Sequence, residues 1–242
     1  MVTPDTPTAP DESTMSLVEH LEELRRRIIV VAVAIAIGAV VGFFLAEPVL
    51  VLLQEVLPED TQLIQLRVLE GFGVRIRLSI LIGFALAMPI VLHQLWAFVT
   101  PGLTTRERRV VWPLLGVAVV FFAIGLYLGY LVVPTALEFL LGLALPGVPP
   151  MLDLAEYISF VTTLMIVFGL ALQFPIILLL LNRVGIVSYR FLATRRRFAV
   201  IVIVLVAIVI TPGGDPVSSG ILSIVGYGLF EGALQVMRLT RS

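Results

Sequence analysis

Residues 25–47 read RRRIIVVAVAIAIGAVVGFFLAE, that is, three arginines followed by an unbroken run of apolar residues and a glutamate. An α-helix needs roughly 20 apolar residues to cross the hydrocarbon core of a bilayer. Arginines that flank such a run stay on the cytoplasmic side of the membrane. The stretch therefore predicts a first membrane span, Ile28–Ala46, which begins at the cytoplasmic face and ends at Glu47 and Pro48.

The remaining basic residues repeat this pattern along the chain. All sixteen are arginine, and thirteen of them fall in four blocks at alternate ends of long apolar runs. The blocks are Arg25–Arg27; Arg106, Arg108 and Arg109; Arg183, Arg190 and Arg195–Arg197; and Arg238 with Arg241. Only Arg67, Arg75 and Arg77 then face outward. This distribution predicts a multispanning protein with both termini in the cytoplasm.

The composition agrees with a membrane protein. The mean hydropathy is +1.08, and 59% of the residues are apolar while only 14% are charged, which lies outside the range of soluble globular domains. The apolar runs are continuous rather than alternating, so the spans are expected to be helices and not strands of a barrel. There is no cysteine, which excludes disulfides and thiolate chemistry. The predicted fold class is an all-α integral membrane protein with six transmembrane helices.

The later spans are unequal in length. Those expected are Leu78–Phe98, Val110–Val133, Tyr157–Leu181, Phe198–Ile210 and Val217–Met237. The fifth reaches only roughly 20 Å, which is short of a hydrocarbon core of roughly 30 Å, and Gly220 and Glu231 interrupt the sixth. Short fifth and sixth spans are therefore predicted, and the bilayer is expected to thin beside them.

Two other segments have distinct expected positions. The apolar residues 137–145, which follow Pro134, are too few to span and are predicted to lie in the outer interface. Residues 1–15 are acidic and rich in proline and threonine, and we interpret them as a disordered cytoplasmic tail. They precede a single membrane domain formed by residues 16–242.

The motifs do not indicate catalysis. The sequence has no H-E-x-x-H, G-x-S-x-G or P-loop motif, so it is not expected to be an enzyme or to use a metal or a cofactor. Acidic residues among the arginines are the exception: Glu19, Glu22, Glu23 and Glu107. Spacing alone favours a structural role, because Glu22–Arg26 and Glu23–Arg27 are favourable i,i+4 pairs on a helix. The alternative is a cationic ligand from the cytoplasm, for which a guanidinium is the best match.

Polar residues within the spans leave a second question open. Gln173 lies in an otherwise apolar span, where a helix–helix hydrogen bond and a functional role are equally compatible with the pattern. Glu231 lies in the inner half of the last span, where it could either reach the interface or face a protein partner. A small-molecule or ion transporter with a midplane site at Gln173 and Glu231 is therefore a rival class. A purely structural anchor subunit is a third.

Four segments resemble one protein family. Residues 20–27, HLEELRRR, resemble the H-L-x-E-L-R-x-R signature of TatC, the large subunit of the twin-arginine protein translocase. Residues 95–103, LWAFVTPGL, followed by ERR at 107–109, resemble the first cytoplasmic loop of that family. Residues 168–175 and 211–215 resemble its fourth helix and its last outer turn. The segments follow in the same order, from about residue 16 to residue 238.

The resemblance implies a function that the spacing leaves open. It implies a receptor and core subunit of the twin-arginine export pathway, in the cytoplasmic membrane of a prokaryote. Glu23 and Glu107 match the carboxylates that receive the paired arginines of a signal peptide. Further positions of functional or structural weight in the family match Arg25, Pro48, Phe98, Gln173 and Asp215. Many members carry glutamate at the position of Gln173, and glutamine cannot titrate, which argues against a protonation switch there.

The resemblance also implies partners. These are single-span subunits of the TatA and TatB type, twin-arginine signal peptides of folded cargo proteins, the lipid bilayer and further copies of the chain in a receptor complex. No nucleic acid is expected. The sequence has no nucleotide-binding motif, and the resemblance implies that the energy for transport comes from the membrane potential and the proton gradient.

Overall fold

The computed structural model describes residues 17–58, 61–99, 105–144, 151–183 and 185–239, except for the side chains of residues 17, 99 and 105–112. This part of the chain is almost entirely helical, as predicted. The helices are α1 Leu17–Gln54, α2 Glu70–Val99, α3 Thr105–Gly142, α4 Leu154–Ala171, α5 Phe174–Arg183, α6 Tyr189–Thr194, α7 Arg196–Ile210 and α8 Pro216–Leu239, with β1 Leu63–Ile64 and β2 Leu152–Asp153 as two short strands. The predicted tail, residues 1–15, lies outside the described residues.

Five described segments are long and apolar enough to cross a membrane. They are Val18–Gln54, Glu70–Phe98, Pro113–Gly142, Leu154–Arg183 and Pro216–Leu239. The helix α7 has 15 residues and a length of about 22 Å, which is less than the roughly 30 Å of a hydrocarbon core. It corresponds to the predicted short fifth span.

The prediction of a short sixth span is wrong. Helix α8 has 24 residues and a length of about 36 Å, because neither Gly220 nor Glu231 interrupts it. Glu231 lies 3.3 Å from the guanidinium of Arg196 on α7 and accepts a hydrogen bond of 3.0 Å from the hydroxyl of Tyr227. Arg196 from α7 and Tyr227 from α8 thus stabilise the negative charge of Glu231.

Two predicted helix ends are also wrong. Helix α1 passes through Pro48 and continues to Gln54, and α3 passes through Pro134 and continues to Gly142. A proline removes one helical hydrogen bond, but Leu53 and Leu137, beyond the two prolines, are buried in the core. The free energy gained by burying these turns is larger than the free energy lost with the missing hydrogen bond. Residues 137–142 are therefore the end of α3 and not a separate interfacial segment.

Small residues allow the helices to pack closely. A Cβ placed on Gly38 of α1 would lie 2.7 Å from the carbonyl oxygen of Gly83 on α2. A Cβ on Gly125 of α3 would lie 2.6 Å from the carbonyl oxygen of Phe168 on α4. In a membrane the association of helices depends on such van der Waals contact, because lipid tails are as apolar as the side chains. The glycines therefore fix the α1–α2 and α3–α4 pairs.

Replacing Gly38 with valine is expected to destabilise the protein by about 1–3 kcal/mol, because overpacking forces the two backbones apart. The measurement is thermal unfolding of the purified chain in detergent. Gly116→Val on α3 is the matched control, since a Cβ at Gly116 meets no atom within 4 Å. Equal midpoints for the two variants would contradict the close-packing argument.

The end of the bundle that contains the starts of α2 and α4 is held by a buried carboxylate. One oxygen of Glu70 accepts hydrogen bonds from the backbone N–H groups of Leu66 at 2.8 Å and Arg67 at 3.0 Å. The other accepts from the backbone N–H of Ala155 at 3.0 Å. Beside it, β1 and β2 pair in parallel. Glu70 thus joins the two helix starts, and nothing in its sequence context predicted this.

Candidate functional site

The helix ends that carry the arginine blocks meet at one end of the bundle. The rings of His20 on α1 and Phe98 on α2 stack with their centroids 4.4 Å apart. Trp96 of α2 and Leu180 of α5 belong to one apolar cluster. We call this the arginine-rich end, and we call the opposite end, which contains Glu70, the acidic end. Within the described residues, the ends of α1, α2 and α5 next to the arginine blocks therefore lie at the same end of the bundle.

Glu23 lies at the arginine-rich end in the predicted pair with Arg27. The Nε of Arg27 donates to Oε1 of Glu23 at 3.1 Å, and Nη1 donates to Oε1 of Gln94 on α2 at 3.2 Å. Both members of the pair are 21% exposed. Glu22 and Arg26 form no ion pair within the described part of the chain. Arg27 thus links α1 to α2 and orients the carboxylate of Glu23.

The second oxygen of Glu23 has no hydrogen-bond partner among the described residues. Oε2 is buried and accepts no hydrogen bond from any described residue. A buried acceptor without a partner costs about 1–3 kcal/mol, and more when it is charged. Because Arg27 contacts Oε1, Oε2 is the oxygen of the Glu23 carboxylate whose hydrogen-bonding capacity no described residue satisfies.

Glu107 lies near the same end of the bundle. It is the third residue of α3, which begins at Thr105, and its side chain lies outside the described part. The chain from Val99, the last residue of α2, to Thr105 can span at most about 21 Å. A negative charge in the first turn of a helix is also favoured by the helix dipole. The arginine-rich end thus includes a second acidic residue in addition to Glu23.

The other predicted residues have separate positions. Arg25 is exposed and forms no ion pair with a described residue. Phe98 holds the end of α2 against α1 through His20. Pro48 is exposed inside α1, and because it follows Glu23 by 25 positions, the two lie about 37 Å apart along the helix. Pro48 therefore belongs to the other end of the bundle.

Gln173 lies at a break that the sequence did not predict. The expected span Tyr157–Leu181 is two helices, α4 and α5, separated by Leu172 and Gln173. Pro175 has no N–H to continue the helical ladder, and the N–H of Gln173 bonds to the carbonyl of Leu170 at 3.0 Å in a tighter turn. Gln173 is 6% exposed, and neither atom of its side-chain amide has a hydrogen-bond partner among the described residues.

Asp215 has a structural position at the acidic end. It is 2% exposed, and its Oδ1 accepts a hydrogen bond of 2.6 Å from the backbone N–H of Ser218 in the first turn of α8. The carboxylate therefore caps that helix. Its second oxygen has no partner in the described part of the protein.

The transporter hypothesis places Gln173 and Glu231 in one midplane site, but their side chains do not hydrogen-bond to each other. Glu231 is paired with Arg196 and Tyr227, and Gln173 hydrogen-bonds to no described side chain. The two residues are therefore not joined to each other.

Sequence reasoning missed the contribution of α2 to the candidate site. The predicted span Leu78–Phe98 contains Gln94 and Phe98, but the sequence could not show that they contact Arg27 and His20. Both contacts join residues more than 60 positions apart, so no helical spacing encodes them. The only available signal was the presence of polar and aromatic side chains at the end of an apolar run.

Comparisons with known proteins agree on one family. The model of the family described as Sec-independent protein translocase protein (TatC) matches residues 19–224. A protein of that name from Carboxydothermus hydrogenoformans is 32% identical over 233 residues, which are 96% of each chain. Another, from Deinococcus radiodurans, is 35% identical over 97% of this chain and 90% of its own. A crystal structure described as the twin-arginine translocase receptor TatC superposes with a TM-score of 0.77 at 32% identity, covering 91% of this chain and 99% of the other.

Proposed function

The chain belongs to the TatC family of Sec-independent protein translocase proteins, and on this premise we propose that it is the receptor for the twin-arginine signal peptides of exported proteins. Glu23 and Glu107, at the cytoplasmic face, receive the two arginines. The observation that carries the proposal is the buried oxygen of Glu23, which has no hydrogen-bond partner among the described residues. A site in which Arg27 already holds one oxygen of the Glu23 carboxylate is suited to bind one guanidinium from outside the chain.

The chemistry of guanidinium explains the use of two carboxylates. Each guanidinium presents five N–H donors and no acceptor, so two adjacent arginines need at least two separate acceptors. Glu23 supplies Oε2, and Glu107 supplies a second carboxylate at the start of α3. Each charge-assisted contact contributes about 1.5–3 kcal/mol to binding. An ammonium cannot form the paired fork, so the site distinguishes arginine from lysine.

The rest of the molecule fits a receptor that works with partners. We place the apolar part of the signal peptide beside Gln173, whose unpaired amide can bond to polar groups of a neighbouring helix or peptide. Six spans with both termini in the cytoplasm follow if α7 crosses a thinned bilayer. The TatA- and TatB-type subunits and further copies of the chain then assemble around this short helix. The membrane potential, at about 2.3 kcal/mol per charge per 100 mV, and the proton gradient supply the energy.

Site-specific photocrosslinking tests the proposal. Photoreactive residues replace Glu19, one turn before Glu23 on the same face of α1, and Glu107 in a second variant. Both are expected to crosslink to a twin-arginine signal peptide, and a twin-lysine peptide is expected to reduce the yield about tenfold. A probe at Ile37, which is exposed on α1 in the apolar span, is the control and should give no crosslink. Equal yields with arginine and lysine peptides would refute a guanidinium site.

A further inference from the structure

A cavity with several charged side chains in its lining lies at the acidic end, between the starts of α2 and α4. Its volume is about 560 Å³. The side chains of Arg67, Arg77, Asp153, Glu156 and Ser159 line it, together with the backbone of Gly73. A Cβ at Gly73 would meet no atom within 4 Å, so this glycine leaves the cavity open and packs against nothing. The cavity is far from Glu23, and the proposed function does not use it.

Two of the three outward arginines line this cavity without a charge partner. Arg75, the third, lies 3.3 Å from Glu47 and 4.9 Å from the centre of the Phe43 ring. Arg67 and Arg77, in contrast, form no ion pair with any residue in the described part of the chain. Two unpaired guanidinium groups at one cavity are the usual protein arrangement for binding a phosphate.

The acidic residues of the cavity are unequally available. Both oxygens of Glu70 accept backbone hydrogen bonds, and Oδ1 of Asp153 accepts one from the backbone N–H of Glu156. The side chain of Glu156 is exposed and forms no ion pair with a described residue. The cavity therefore presents two guanidinium groups without an ion pair, the exposed carboxylate of Glu156 and the second carboxylate oxygen of Asp153. This pattern is complementary to a phosphate that carries a nearby ammonium group.

The cavity also lies at the level of a membrane surface. Arg77 is the last charged residue before the apolar run of α2, which continues to His93. Beside it, four large apolar side chains are between 62% and 97% exposed: Leu66, Val68, Leu69 and Phe72. On a multispanning protein, an exposed apolar surface of this kind is suited to contact with lipid. The occupant of the cavity is therefore expected to come from the bilayer.

We propose that this cavity binds the headgroup of a zwitterionic phospholipid with a primary ammonium, such as phosphatidylethanolamine. The phosphodiester lies between Arg67 and Arg77, and the ammonium donates to Glu156. The lipid bridges the starts of α2 and α4 at the membrane surface. The site does not depend on signal-peptide recognition, which takes place at the opposite end of the bundle.

Native mass spectrometry of the full chain in detergent, titrated with defined lipids, tests this site. Phosphatidylethanolamine is expected to remain bound about tenfold more strongly than phosphatidylcholine, whose methylated ammonium cannot donate to Glu156. The variant Glu156→Gln should remove this preference. The double variant Arg67→Gln/Arg77→Gln should weaken both lipids about tenfold. Arg75→Gln, on the same helix but paired with Glu47, is the matched control and should bind as the parent does.

A second variant separates loss of the site from loss of the fold. A Cβ at Gly73 meets no protein atom within 4 Å, so Gly73→Leu should remove the bound lipid by occupying the cavity while leaving the unfolding temperature equal to or above that of the parent. Soluble glycerophosphoethanolamine should compete only weakly if the lipid is held at the membrane surface. Equal lipid retention by the parent, the double variant and Gly73→Leu would overturn the proposal. Full displacement by the soluble headgroup would overturn the assignment to a lipid.

Discussion

Replacing Glu23 with glutamine is expected to weaken binding of a twin-arginine signal peptide by roughly 10- to 100-fold, which corresponds to the loss of one charge-assisted contact. The substitution keeps the size of the side chain and removes its charge. Glutamine can still accept from Arg27 through its oxygen, so the link between α1 and α2 is largely kept. What is lost is the second acceptor oxygen, Oε2, which has no partner among the described residues.

The measurement is fluorescence anisotropy of a labelled signal peptide with the purified chain in detergent. Glu22→Gln is the matched control, because Glu22 is the adjacent residue, is exposed and forms no ion pair with a described residue. The parent should already bind a twin-lysine peptide weakly, and Glu23→Gln should weaken that binding only a little further. If Glu22→Gln and Glu23→Gln weaken the peptide equally, the effect reflects the overall charge of the surface and not a site at Glu23.

The bilayer spans were predictable because their signal is local. The apolar run at 28–46 and the arginines before it lie within one stretch of sequence, and this stretch is helical as expected, although α1 continues beyond the predicted end. The pair of Glu23 and Arg27 was predictable for the same reason, since a separation of four residues on a helix brings the two side chains together. Both features depend on residues that are neighbours in sequence.

The errors share a different cause. Pro48 was expected to end α1, but the burial of Leu53 beyond it keeps the helix intact. Glu231 was expected to interrupt the last span, but Arg196 compensates its charge from a separate helix. Each outcome depends on contacts between segments that are distant in sequence. A pattern read along one segment cannot supply those contacts.

The candidate site combines both kinds of information. The family resemblance indicated Glu23 and Glu107, but it could not show how a carboxylate that pairs with Arg27 would remain available to a ligand. The geometry supplies an answer, because Arg27 divides its donors between Glu23 and Gln94 and leaves the second, buried carboxylate oxygen without a partner among the described residues. The ion pair and the ligand site are therefore compatible. Arg27 positions the carboxylate, and the second oxygen, which has no partner among the described residues, is the one that the proposal assigns to the signal peptide.

Replacing both Glu23 and Glu107 with glutamine is expected to have the largest effect of all, about 10²- to 10⁴-fold on peptide affinity. Glu107→Gln alone should cost roughly 10- to 100-fold, as Glu23→Gln does. If each carboxylate holds a different arginine, the two losses multiply, because independent sites contribute additively in free energy. If both carboxylates hold the same arginine, the double variant should bind no more weakly than the weaker single variant.

Peptides with arginine–lysine and lysine–arginine pairs assign each arginine to its carboxylate. A peptide with lysine in place of the arginine that Glu107 holds should bind equally well to the parent and to Glu107→Gln. The same peptide should still bind more weakly to Glu23→Gln than to the parent. Glu138→Gln is the control, because Glu138 is an exposed residue of α3 near its opposite end. Equal sensitivity of both mixed peptides to both variants would contradict the assignment of one arginine to each carboxylate. If one mixed peptide loses affinity only with Glu23→Gln and the other only with Glu107→Gln, the result would establish the order in which the two guanidinium groups lie between α1 and α3.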